Sequence, residues 1–217
     1  MPERSQQVRE EYLAAVLEPD PARAREVVRA AVRGGLSVES AYIEVLAPAM
    51  VEIGNRWESG AISVAHEHLA AEVTGSLVGE LAGRIRSAPG TGRLAVVSCS
   101  PDERHALGGQ MLGGMLEASG WEVLYLGATL PAEDLVALAD DEAADVVALS
   151  TTMSDHLSGV ARTISAVQEL DEPPLVIVGG QAYGGEGDAR EVGADAYAAS
   201  AVEAPGLLAR RLPPAAA

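Results

Sequence analysis

Apolar residues recur at helical spacing through the first third of the chain, then give way to short β-rich runs. Val8, Tyr12, Ala15 and Val16 form one stripe, and Ala24, Val27, Val28, Ala31 and Val32 a second. Tyr42, Val45, Leu46, Met50 and Ile53 form a third, and Leu69, Val73, Leu77, Val78 and Leu81 a fourth. Steps of three and four residues place each set on one face of a helix. Four such helices, punctuated by Gly34-Gly35 and by Glu58-Ser59-Gly60, predict a bundle.

Beyond residue 92 the period shortens. RLAVVSC (93–99), WEVLYLG (121–127), DVVALST (145–151), PLVIVGG (174–180) and DAYAAS (195–200) read as strands. Helical stretches at 106–118, 132–142, 157–170, 187–192 and 203–211 alternate with them. This β–α alternation predicts an α/β domain of flavodoxin-like (Rossmann-like) type, a parallel sheet with helices on both faces. SAPGTG at 87–92 marks the boundary, so domains are expected at 1–88 and 92–217. No GxGxxG opens the first β–α turn; Gly108-Gly109 and Gly113-Gly114 fall on the helix after it. Ligands of such sheets bind outside the carboxyl ends of the strands, and the chemistry is sought in those loops.

Composition narrows the partners. Formal net charge is −17, from 32 acids against 15 bases, and no basic block offers a local exception. Such a surface repels phosphate backbones, so direct nucleic-acid binding is not expected. Aromatics make up 3% with no Phe, so the core must be built from aliphatic residues. Cys99 stands alone, excludes an internal disulfide and reads as a buried core thiol. No apolar run approaches the ~18 residues of a membrane helix. The N-terminus lacks a signal-peptide pattern, and a cytoplasmic chain is expected.

The loop after the first strand reads SPDERHALGG. Imidazole nitrogen suits a borderline transition metal, and a carboxylate on its other nitrogen fixes the tautomer and raises basicity. Glu103, two residues before His105, is placed to supply that carboxylate, and Gly108 would permit close approach of a bulky ligand. Glu103-x-His105-x-x-Gly108 resembles the D-x-H-x-x-G signature of cobalamin-binding domains, as in methionine synthase and corrinoid methyl carriers. The family continues with S-x-L or S-x-T and then Gly-Gly. Here Ser150-x-Thr152 follows after 41 residues and Gly179-Gly180 after 26 more, separations that match. The resemblance implies that His105 replaces the cofactor's own base on cobalt, with Glu103 and Arg104 beside it. It further implies that Ser150 and Thr152 contact the displaced nucleotide tail and that Gly179 and Gly180 leave room for it. His156, six residues after Ser150, reads as a surface residue near a helix N-terminus.

A tryptophan closing an apolar stripe, as Trp57 does, reads as core, and an acid in a first helical turn, as Glu67 is, reads as a partner of the macrodipole. Ser63 is placed to cap the fourth helix. Yet Trp57, Glu67 and His68, with Pro48-Ala49-Met50 upstream and the run IGNRWESGAISVAHEH, resemble the CarH-type cobalamin photoreceptors. That resemblance covers nearly the whole chain from about residue 8 and implies a bundle capping the upper face of adenosylcobalamin. Trp57, Glu67 and His68 would then contact the adenosyl group. Light-driven loss of that group would shift the bundle and change a dimeric or tetrameric state. Three departures stand out. Glu103 replaces the Asp of the signature, as in the light-sensing branch. Glu58 follows Trp57 where several relatives have a His that captures cobalt after photolysis; His66 and His68 are nearby. The family's MerR-like DNA-binding domain is not expected ahead of the bundle.

The chain also resembles the photocobilins, which adds biliverdin as a second, non-covalent ligand. The leading expectation is a light-sensing signalling module without enzymatic turnover, acting through self-association or a protein partner. The alternative is a corrinoid methyl carrier, which shares His105 and must expose cobalt to partner enzymes. A mutase would require a substrate barrel of ~250 residues, for which this chain has no room.

Overall fold

Proline and short polar caps set the starts of the first helices. In the computed structural model, which describes residues 2–212, α1 spans Pro2–Leu17 and α2 spans Pro21–Arg33. Pro21 opens α2 without wasting an amide, and Asp20 accepts the Arg23 amide at 2.9 Å. Ser37 accepts the Ser40 amide at 3.1 Å and begins α3 (Val38–Ser40). This helix runs on without a break through a π-helical segment, Ala41–Leu46, into α4 (Ala47–Glu58).

The π segment has a local cause. Pro48 carries no amide for the carbonyl of Glu44, and its ring would press on that carbonyl in a regular helix. The ladder widens just before it, with the Ala47 amide bonded to Tyr42 O. As a result Ala49, not Met50, is the fully buried residue between Leu46 and Ile53. Helix α5 (Val64–Ala82) follows a turn over Ser59–Ser63, so Glu58 belongs to α4 rather than to the turn expected at 58–60. Tyr12, Val28, Tyr42 and Leu77, one from each expected stripe, are essentially fully buried, whereas Val27, Val32, Met50 and Leu69 are only partly so. Two buried phenols are satisfied there: Tyr12 Oη pairs with Thr74 Oγ1 at 2.8 Å, and Tyr42 donates to Val78 O at 2.7 Å.

The chain divides between residues 85 and 86 into two units, of which this bundle is the first. The second holds β1 (Leu94–Cys99), α6 (Leu107–Ala118), β2 (Glu122–Gly127), α7 (Ala132–Asp141) and β3 (Val146–Ser150). A 3₁₀ turn (Ser154–His156) leads into α8 (Leu157–Gln168), followed by β4 (Leu175–Gly179), α9 (Glu186–Glu191), β5 (Ala196–Ala198) and α10 (Ala204–Arg211). All pairings are parallel, in the order β2-β1-β3-β4-β5, which is the flavodoxin-like doubly wound arrangement.

Alternation along the strands feeds two cores. Val96, Val147, Leu149, Val176 and Val178 pack against α7, α8 and α9. Ala95, Val97, Ala148 and Ile177 point the other way, towards α6 and α10. Small aliphatic side chains let helices lie close on the sheet without any phenylalanine. Residues 88–91 are not a free linker: Ala88 and Thr91 donate to Ala118 O and Gly120 O, both at 2.7 Å. The second compact unit takes in these residues from 86 onward. Residue 1 and residues 213–217, the outer ends of the expected domains, lie outside the described residues. Among the described residues no helix is long and apolar enough to cross a membrane.

Candidate functional site at the sheet switch point

The strand order reverses at β1 and β3. Their last residues are paired, and the Ser100 amide still reaches Ser150 O at 3.0 Å. Beyond that point the chain leaves β1 for α6 and leaves β3 for α8 on the opposite face. The place where two such connections part is the usual ligand position in sheets of this kind.

Glu103 lies between the two connections with no exposed surface. Its Oε1 accepts the amides of Arg104 (2.9 Å) and His105 (3.0 Å) and the His105 Nδ1 proton (2.5 Å). Its Oε2 accepts the amides of Thr152 (2.8 Å) and Met153 (3.0 Å) and faces His156 Nδ1 at 3.3 Å. Burial alone would raise this carboxyl's pKa. The backbone and side-chain bonds from His105, then the Thr152 and Met153 amides, outweigh burial and hold it at about 2. The group is anionic at neutral pH, and it ties the loop after β1 to the loop after β3.

That charge determines what His105 offers. A carboxylate only accepts, so the proton facing it is on Nδ1, and in the neutral ring Nε2 then carries the lone pair. The His105 side chain is 52% exposed, and among the described residues its hydrogen bonding to Glu103 is through Nδ1. Behind it, Cys99 Sγ–H donates to His105 O at 3.5 Å. Cys99 is buried as expected, and burial pushes its thiol up to about 12, so no thiolate competes as a ligand. The donor set is thus one oriented imidazole. Among the described residues no group of three or more His, Cys, Asp or Glu is arranged to hold a metal ion. One imidazole backed by a carboxylate suits a metal whose other ligands come from a macrocycle. At the head of the same loop the Ser100 hydroxyl is buried without a hydrogen-bond partner, a donor that a polar ligand group would satisfy.

The remaining residues singled out in the sequence separate into those with internal duties and those without. Gly108 was expected to admit a ligand; the close neighbour is Ser150, whose Oγ would stand 2.6 Å from a Cβ there. Gly179 and Gly180 are pressed against backbone in the same way. A Cβ on Gly179 would meet Ala198 O at 2.6 Å. One on Gly180, whose φ is +110°, would meet Thr151 O at 2.2 Å. Packing of adjoining chain thus already requires glycine at both positions. Ser150 is buried at the end of β3, Thr152 is half-buried with its amide on Glu103, and the Arg104 side chain is exposed.

His156 was read as a surface residue and is not one. The 3₁₀ turn after β3 folds it back onto Glu103, and its side chain is only 23% exposed. The signal available was its position at the same sheet end as His105. Its partner, 53 residues away in sequence, was not readable.

In the first unit, Trp57 occupies the last turn of α4 and is 48% exposed, so it is not the core residue its stripe predicted. Glu67 and His68 open α5, with His68 Nδ1 and Glu67 Oε2 2.7 Å apart. Ser63 stands at the N-cap position, but its hydroxyl engages His66 Nδ1 at 2.8 Å instead of a backbone amide.

Comparison with known proteins agrees with this chemistry. A profile described as B12 binding domain matches residues 93–205, and a second with the same description matches residues 8–82. The HTH-type transcriptional repressor CarH of Myxococcus xanthus is 36% identical over 178 residues. That alignment takes in 80% of this chain and 58% of the repressor, so this chain spans under two thirds of that relative. The dimethylamine corrinoid protein of Methanosarcina barkeri is 29% identical over 176 residues, covering 79% of this chain and 82% of that protein. The structure of the monomethylamine corrinoid protein of Methanosarcina barkeri superposes with a TM-score of 0.80 at 18% identity, over 95% of this chain and 99% of that one. That likeness concerns the fold alone.

Proposed function

This chain belongs to the B12 binding domain family, and from that premise we propose that it is a light-sensing signalling protein which holds adenosylcobalamin with His105 as the lower ligand to cobalt. The cofactor, once bound, would supply a cobalt–carbon bond that visible light cleaves. The chain's own residues would do the rest. Glu103 keeps the His105 proton on Nδ1 and presents Nε2. Ser150 and Thr152, with the glycine pair Gly179 and Gly180, line the end of the sheet assigned to the nucleotide tail. Trp57, Glu67 and His68 are assigned to the adenosyl group.

The observation that carries the light-sensing reading is the exposed indole of Trp57 on the same hairpin as the Glu67–His68 pair. A solvent-facing Trp costs the fold apolar burial, and a ligand's flat base repays it. The 36% identity to a CarH protein supports the same direction. In this reading the output is a change in self-association, dimer or tetramer, or release of a protein partner. Neither enzymatic turnover nor nucleic-acid contact belongs to it, the latter on grounds of the −17 charge. Biliverdin is a secondary ligand, testable by a red or far-red band after coexpression.

A corrinoid methyl carrier is the second reading, favoured by the dimethylamine corrinoid protein, 82% of whose length aligns. Light separates the two. Protein loaded with adenosylcobalamin in the dark is expected to change both spectrum and size-exclusion profile on illumination. An unchanged profile and spectrum would sink the photoreceptor. His105→Ala is expected to abolish histidine coordination, and retention of it would remove the ligand assignment itself.

A further inference from the structure

Of the paired glycines of α6, Gly109, Gly113 and Gly114 have no part in the site described above. Gly108-Gly109 and Gly113-Gly114 are helical, and four glycines in twelve residues weaken a helix unless something needs the space. Tyr125 needs it. This residue comes from the carboxyl half of β2, at the edge of the sheet, and its side chain lies over α6. A Cβ built on Gly109 would stand 3.2 Å from Tyr125 Cε2, and one on Gly113 would stand 3.8 Å from Tyr125 Cβ. Gly109 and Gly113 are four apart and share a helix face, so together they make a shallow seat for the ring.

Seated there, the phenol reaches the lower-ligand loop. Tyr125 Oη donates to Ala106 O at 3.0 Å, a carbonyl that also accepts the Gln110 amide at 3.0 Å. Ala106 directly follows His105 and is the N-cap of α6, with no side-chain cap of its own. The peptide units on both sides of His105 are therefore held: its amide by Glu103, its carbonyl by Cys99, and the next carbonyl by Tyr125. Burial raises the phenol to about 12, so it remains a donor across the physiological range.

We propose that Tyr125, seated on Gly109 and Gly113, is a positioning residue that fixes the Ala106–Leu107 peptide, the next one after His105, and so helps hold the imidazole in place to meet the metal. This rests on His105 being the lower ligand. The phenol does not touch the metal; it removes freedom from the loop that does. A ligand held in place before binding loses less entropy when it binds.

Tyr125→Phe tests it, because the ring keeps its glycine seat and only the hydroxyl is lost. The probe is cobinamide in the dark, which has no nucleotide base, so any lower nitrogen on cobalt comes from the protein. The expected result is about five-fold weaker binding, the size of one ordinary hydrogen bond. The axial-nitrogen splitting in the paramagnetic resonance spectrum of the reduced cobalt should fall in the same variant. In a His105→Ala background the same substitution should change affinity less than two-fold, since its effect runs through His105. Wild-type affinity and splitting in Tyr125→Phe would overturn the proposal, and so would an undiminished five-fold loss in the His105→Ala background. If His105→Ala alone retains the nitrogen splitting, the ligand assignment has failed. If His105→Ala loses it while Tyr125→Phe keeps it, only the role of Tyr125 has.

Discussion

Replacing Glu103 with Gln keeps the shape of the side chain and removes its charge and one of its two acceptor oxygens. The wild-type carboxylate accepts two backbone amides on each oxygen, Arg104 and His105 on Oε1, Thr152 and Met153 on Oε2. A glutamine must turn its NH₂ towards one of those pairs. Whichever way it turns, two amides face a donor. Each buried donor left without an acceptor costs about 1–3 kcal/mol, so the second unit should lose about 2–6 kcal/mol of stability. The two imidazoles change the sum less, because a neutral histidine can shift its proton and accept from the new NH₂. The assay is urea unfolding of the apoprotein followed by fluorescence in a Trp57→Phe background, which leaves Trp121, buried at the start of β2, to report on the second unit. A loss below about 0.5 kcal/mol, the scatter expected of a neutral surface substitution, would refute the view that Glu103 staples the two loops. The same variant should bind cobalamin more weakly, because His105 loses the anion that fixes its tautomer.

Two further expectations concern the fold. Gly180→Ala places a Cβ 2.2 Å from Thr151 O at a φ of +110°, both backbone constraints, and should cost at least ~3 kcal/mol in the same urea assay. Gly108→Ala meets only the movable hydroxyl of Ser150 and should cost less; the reverse order would contradict the packing described. In the bundle, burial raises the Tyr12 phenol to about 12, only partly offset by its bond to Thr74. The folded value lies above the unfolded one, so this contribution is complete below pH ~10 and lost as pH rises through ~12, about 3 kcal/mol in all. Tyr12→Phe should flatten the alkaline unfolding profile across that window, and an unchanged slope between pH 10 and 12 would exclude the effect.

Much of the architecture was legible along the chain because burial imposes a period. Each of the five expected strands forms within two residues of its expected ends; β1, β3 and β4, buried on both faces, read as continuous apolar runs bounded by polar turns. In the bundle the π segment before Pro48 was missed. An apolar spacing of three or four does not distinguish a regular helix from one with a wide turn, so Met50 and Ala49 exchange places.

The site was legible in a different way. Glu103 and His105 are two residues apart, so their hydrogen bond is local and the sequence alone implied it. Thr152, Met153 and His156 lie about fifty residues further on, and only the crossover through α6, β2 and α7 carries them to the same carboxylate. Local sequence sets which groups are available and roughly where a strand or helix begins. Which distant donors converge on one buried oxygen, whether Trp57 faces core or solvent, and why α6 carries glycines all follow from how elements pack, and packing is a property of pairs of segments that no single segment contains.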